Sequence, residues 1–171
     1  GGAVDKPVRP FVAILGGAKV SDKIAVIESL INKADKILIC GAMAFTFYKA
    51  LGYEVGKSKC EEDFVDFAKG LLEKANGRIV LPNDVVATSE FAEDAEAIVV
   101  DADKLPADKM GLDIGPKSLE LFKENLKGAK TVVWNGPAGV FEFEKFAKGT
   151  NGICTLISEL KGATPIIGGG D

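Results

Sequence analysis

FVAILGGAKVSDKI, Phe11–Ile24, decides the fold class of this chain. Phe11–Leu15 is a continuous apolar run, the pattern of a strand buried on both faces. Two glycines follow at once. Beyond them Ile24, Ile27, Leu30 and Ile31 fall on one stripe of a helix reaching about Lys33, with Ser21 placed to cap it. Lys19 and Lys23 stand four residues apart inside the stretch. On one helix they would share a face and repel, and near a helix N-terminus the macrodipole disfavours cations. Their crowding is favourable only when an anion arrives.

The same alternation continues outward. Lys36–Cys40 is a second short apolar run. Met43–Leu51 reads as a helix stopped by Gly52. Glu61–Lys74 is an amphipathic helix with Phe64, Phe67, Ala68, Leu71 and Leu72 inward and Asn76-Gly77 as its stop. Arg78–Leu81, Asp84–Thr88 and Ala97–Asp101 read as strands, and Ala102–Gly115 as irregular. Pro116 suits the first turn of a helix through Leu126. Thr131–Trp134 is another buried strand, Glu144–Lys148 and Gly152–Leu160 read as helices, and Pro165–Ile167 as a last strand. The expected class is α/β: a three-layer, Rossmann-like parallel sheet with helices on both faces. Gly1–Pro10 reads as a linker, and 11–171 as one domain.

Composition narrows the chemistry. Of 171 residues 47% are hydrophobic and 27% charged, the net charge is −4, and no stretch concentrates lysine and arginine. Nucleic acid is therefore not an expected partner. The chain has no histidine and its three cysteines, Cys40, Cys60 and Cys154, are widely spaced. A structural zinc site is not expected, and reduced thiols in the cytoplasm fit the pattern. No apolar run has the length of a membrane span, and no signal peptide is legible. Without histidine the commonest general base is missing. Catalysis here would work by positioning and electrostatics.

In such folds ligands bind beyond the carboxyl ends of the strands. Three glycine-rich loops occupy those positions: GGAK after Leu15, NGPAG after Trp134 and GGGD after Ile167. Glycines there let a ligand approach the backbone, and successive amides form anion-binding concavities. Lys19 and Lys23 would add positive charge for a phosphate chain. Asn135, Gly136 and Pro137 suit a rigid turn, Val140 and Phe141 could pack on a flat ring, and Glu142 could accept from ribose hydroxyls. Asp171 could cap a helix or hold a metal. Each feature also has an ordinary reading as a tight turn, a solvated lysine or core packing. Neither a Walker A loop nor a GxGxxG fingerprint is present.

RPFVAILGGAKVSDKI, MAFTF, MGLDIGP, VVWNGPAGVFE and IIGGGD occur together here. In order and spacing they resemble the C-terminal, nucleotide-binding half of phosphoglycerate kinases. The resemblance implies phosphoryl transfer between 1,3-bisphosphoglycerate and ADP, giving 3-phosphoglycerate and ATP, with Mg²⁺, in glycolysis. It implies that Lys19 and Lys23 contact the nucleotide phosphates and the transferring group. Gly17 and Ala18 would approach the nucleoside, and Gly41, Ala42, Gly111 and Leu112 would line the adenine pocket. Asn135, Pro137, Val140 and Phe141 would flank the nucleotide, beside Gly136, with Glu142 on the ribose. Gly168, Gly169 and Gly170 would face the phosphates and Asp171 the Mg²⁺.

Two departures from that family stand out. Cys40-Gly41-Ala42 stands where many members of that family have a glycine triplet, so the Ala42 methyl would narrow the implied adenine slot. KSKCEED, Lys57–Asp63, replaces a more apolar wall. The resemblance further implies that residues 1–10 lead from a missing N-terminal domain holding the phosphoglycerate site, and that 11–171 are truncated at the C-terminal end. The expected behaviour is a monomeric fragment, inactive alone. The competing classes are a non-catalytic nucleotide-binding α/β module and a purely structural α/β domain.

Overall fold

A computed structural model describes residues 9–17, 19–58, 60–90, 92, 94–135, 148–158 and 164–167, with the backbone alone for 148 and 164–167. Among the described residues the strands are β1 (Phe11–Leu15), β2 (Lys36–Ile39), β3 (Ile79–Val80), β4 (Asp84–Thr88), β5 (Ala97–Asp101), β6 (Met110–Ile114), β7 (Thr131–Asn135) and β8 (Thr164–Ile167). The α-helices among the described residues are α1 (Ile24–Ile31), α2 (Met43–Ala50), α3 (Val65–Ala75), α4 (Pro116–Leu126) and α5 (Lys148–Ser158). The main sheet has five strands in the order β3-β2-β1-β7-β8, and every pairing in it is parallel.

β1, the middle strand, is apolar throughout because both of its faces are covered. Phe11, Ala13 and Leu15 of β1, with Ile37 and Ile39 of β2, join a core with α1, α2 and α3. The alternate residues Val12, Ile14 and Leu38 join a second core with Phe122 and Leu126 of α4 and Ile153 and Ile157 of α5. The period of two thus distributes one run of sequence between two layers. Each large side chain so buried contributes about 1.5–3 kcal/mol. This is the three-layer α/β arrangement expected from the sequence.

Three strands leave that plan. β5-β4-β6 form a separate sheet, antiparallel at both pairings. The segment expected to be irregular, Ala102–Gly115, contains β6. Gly111 and Asp113 disguise it, since neither type favours strands. Both are there for contacts: Gly111 lies under the Phe45 ring, and Asp113 accepts from the Gly149 N–H at 2.9 Å, capping α5. The small sheet is pinned to the main body through Asp84. Its carboxylate accepts the N–H groups of Lys117 and Ser118 at 3.0 and 2.8 Å, at the start of α4.

Helix boundaries also shift. Ser21 does not cap α1; it sits in a 3-10 turn, Val20–Asp22, and Lys23 precedes the helix. The third helix begins with a 3-10 turn at Glu62–Phe64, and Ala68, Leu71 and Ala75 are its buried residues, with Phe64, Phe67 and Leu72 half-buried. Its stop is as read: Asn76 and Gly77 both take positive φ, 50° and 86°. α5 starts four residues before Gly152, and the helix expected over Glu144–Lys148 lies, but for its last residue, outside the described residues. Among the described residues no helix is long and apolar enough to cross a membrane.

Candidate functional site

The strand order reverses between β1 and β7, because β2 and β3 lie on one side of β1 and β7 and β8 on the other. A crevice at the carboxyl ends is expected at such a switch point. The strand ends there are level: Leu15 pairs with both Ile39 and Asn135, and Trp134 pairs with Ile167. The carboxyl ends of β1, β2, β7 and β8 therefore share one rim of the sheet.

Backbone bonds knit that rim together. The Gly16 N–H donates to the Asn135 carbonyl at 2.7 Å, and the Met43 N–H to the Gly17 carbonyl at 3.0 Å. The Cys40 N–H donates to the Leu15 carbonyl at 2.8 Å. Gly17 has φ +121°, and a Cβ placed on it would lie 3.3 Å from Lys23 Cε. The lysine stem passes where any other side chain would stand. Gly41 also has positive φ, 76°, as the chain turns from β2 into α2.

Lys23 is the centre of this arrangement. It is only 9% exposed, and its Nζ donates to Asn135 Oδ1. Among the described residues no carboxylate pairs with it. A covered ammonium with a neutral partner is costly unless a further negative group arrives. Lys19 behaves differently. It is exposed, with extended backbone at φ −130° and ψ 127°, so the two lysines share no helix face. Cys40, the residue after β2, is fully buried, and burial, then the Asp113 carboxylate, pushes its thiol far above the ordinary range.

A second group lies on the small sheet. A Cβ on Gly111 would fall 2.2 Å from Phe45 Cζ, so the ring rests directly on the β6 backbone. Phe45 belongs to the helix that Gly41 and Ala42 introduce, and its N–H donates to the Ala42 carbonyl at 3.1 Å. The Gly111 N–H donates to Ser58 Oγ at 2.9 Å. Leu112, buried, is the extra residue of a β-bulge: Val86 faces Asp113 and Ala87 faces Gly111. Bulges re-aim side chains at functional edges. The Ala42 methyl packs against the core on the α1–α3 side.

Of the residues read from sequence, Gly17, Lys23 and Asn135 come together at the switch point, with Lys19 on the same loop. Gly41 and Ala42 begin the neighbouring helix, and Gly111 and Leu112 are linked to it through Phe45. Ala18, Gly136, Pro137, Val140, Phe141, Glu142, Gly168, Gly169, Gly170 and Asp171 lie outside the described residues, as does Lys59. Among the described residues no cluster of three or more His, Cys, Asp or Glu gathers for a metal. The lysine–asparagine contact and the roles of Phe45 and Ser58 escaped sequence reading. They join residues 112 and 53 positions apart, and no local pattern announces them.

Known proteins resemble this chain along its length. The family model for phosphoglycerate kinase matches residues 1–171. A phosphoglycerate kinase of Listeria monocytogenes is 62% identical over 171 residues, all of this chain and 43% of that protein. One of Staphylococcus carnosus is 64% identical over 168 residues, covering 98% of this chain and 42% of its own length. The solved phosphoglycerate kinase of Coxiella burnetii superposes with a TM-score of 0.94 at 41% identity, over 99% of this chain and 44% of that one. That of Pyrococcus horikoshii OT3 gives 0.82 at 28% identity, over 98% and 49%. The chain spans less than half the length of each.

Proposed function

This chain belongs to the phosphoglycerate kinase family, and from that premise we propose that its 171 residues are the nucleotide-binding part of such a kinase. The reaction is phosphoryl transfer between 1,3-bisphosphoglycerate and ADP, with a carboxyl group as acceptor in the reverse direction. Residues 11–171 form the nucleotide domain, and residues 1–10 lead towards it from the part that binds phosphoglycerate. The observation that carries the reading is Lys23: a covered ammonium at the topological switch point, held by Asn135 and paired with no described carboxylate. A polyphosphate supplies the missing negative charge.

Each group then has a role. Lys23 lies against the phosphate chain and stabilises charge on the transferring oxygens, where fixed positive charge counts most. Lys19, extended and exposed, closes over the same phosphates from the loop. Gly17 keeps the Lys23 stem in place and lets the nucleotide approach the backbone. Gly41, Ala42, Gly111 and Leu112 flank the adenine. Asn135, Gly136, Pro137, Val140 and Phe141 flank the nucleotide, and Glu142 takes the ribose. Gly168, Gly169 and Gly170 donate amides to phosphate. Magnesium, held by nucleotide oxygens with Asp171 as the protein carboxylate, would neutralise part of the phosphate charge. Closure against the phosphoglycerate-binding part excludes water from the transfer, so this chain alone binds nucleotide without turnover.

Calorimetric titration of the purified protein tests the proposal. ADP should bind at least about tenfold more tightly than adenosine, a difference of about 1.4 kcal/mol. Equal affinity for the two would contradict a phosphate site. ATP formation from 1,3-bisphosphoglycerate by this chain alone would contradict the division of labour.

A further inference from the structure

The loop carrying the two lysines is fastened by a residue from elsewhere in the chain. Ser21 lies between Lys19 and Lys23, in the 3-10 turn. Its N–H donates to Glu61 Oε1 at 3.0 Å, and its hydroxyl donates to Oε2 at 2.6 Å. Glu61 is itself held: its N–H donates to Thr46 Oγ1 of α2 at 3.1 Å. One carboxylate thus spends both oxygens on one residue, which sets the turn's orientation as well as its distance. Glu61 forms no ion pair with Lys19 or Lys23 among the described residues. It therefore holds the turn while both ammonium groups stay out of direct contact with its carboxylate.

Among the described residues, local fastening of the turn is limited to two backbone bonds, Asp22 N–H to the Lys19 carbonyl at 3.3 Å and Lys23 N–H to the Val20 carbonyl at 2.9 Å, and to the buried Val20 side chain. Lys19 is extended, and Lys23 precedes α1 with no side-chain cap on that helix. A three-residue turn of this kind has poor hydrogen-bond geometry of its own. We infer that Glu61 is a positioning residue for the nucleotide phosphates: by clamping Ser21 it fixes the turn from which both lysines project. This rests on the reading of the rim as a phosphate site.

Titration of the purified protein with ADP and with adenosine tests it, using Glu61→Ala, Glu61→Gln, Ser21→Ala and Lys23→Met. Glu61→Ala should weaken ADP about fivefold, the size of a lost hydrogen bond. Its adenosine affinity should stay within about twofold, because no phosphate is involved. The amide of Glu61→Gln can accept from the Ser21 N–H and donate to its hydroxyl, so both affinities should stay within about twofold of the parent. Ser21→Ala keeps the backbone half of the clamp and should fall between; it decides the matter if Glu61→Ala does not fold. Equal losses for both ligands, no loss for either, or a Glu61→Gln as weak as Glu61→Ala would overturn the positioning role. If Lys23→Met leaves ADP binding intact, the phosphate site itself falls. If Lys23→Met is weak and Glu61→Ala is not, only the clamp falls.

Discussion

The rim of the parallel sheet and the flank on the small antiparallel sheet bound the same proposed nucleotide, and they are built on opposite principles. The rim keeps a charge where a charge is costly: Lys23 is covered, and Asn135 is its neutral partner. The flank removes atoms: Gly111 gives up a side chain so that Phe45 can rest on its backbone. In the proposed reading the first region takes the phosphates and the second flanks the adenine. The difference teaches that charge and shape in this site can be disturbed separately, and mutations should divide accordingly.

The largest effect should come from the rim. Lys23→Met keeps the buried stem and removes the ammonium; ADP affinity should fall about 30-fold, the range of a charge-assisted hydrogen bond, with adenosine unmoved. Equal loss of both ligands in calorimetry would break the separation. Gly111→Ala should do the converse. Its Cβ would sit 2.2 Å from Phe45 Cζ, so denaturant unfolding should reveal a loss of about 1–3 kcal/mol from overpacking. Adenosine and ADP affinities should drop together. An ADP-only loss there would merge the two regions into one.

Asn135→Ala should have a smaller, rim-type effect, weakening ADP about fivefold as Lys23 loses its partner. The smallest change sharpens the comparison without touching either ligand surface. Cys154 is exposed, whereas Cys40, the residue after β2, is fully buried with its thiol pushed up. Burial disfavours the thiolate, so Cys40 should stay unlabelled by a maleimide as pH rises from about 7 to about 9, while Cys154 is labelled from the outset. Mass spectrometry of the labelled peptides reads this directly. Early labelling of Cys40 would mean that the rim opens.

Much of the rim was legible because its signals are local. Phe11–Leu15 is apolar at every position, and Pro116 announces the first turn of α4, so both elements fall where the pattern puts them. The glycines after β1 stand at a strand end that any parallel α/β reading would mark. The flank was less legible because its logic is tertiary. β6 contains a glycine and an aspartate that break strand propensity, and only Phe45 and Gly149, far away in sequence, explain them. The pairing of β4 with β5 and β6 likewise depends on neighbours rather than on its own pattern. Ser21 looked like a helix cap by residue type, yet Glu61 claims its hydroxyl and the helix starts later.

The central claim is that one rim of the parallel sheet grips a polyphosphate. Backbone amide chemical shifts of the ¹⁵N-labelled protein, followed during titration with ADP and then with adenosine, test it most directly. The account predicts that ADP, and not adenosine, moves Gly16, Gly17, Lys19, Lys23 and Asn135, together with the amides of Gly168–Gly170. Shifts confined to the opposite end of the strands, at Asp35, Arg78 and Lys130, would contradict it.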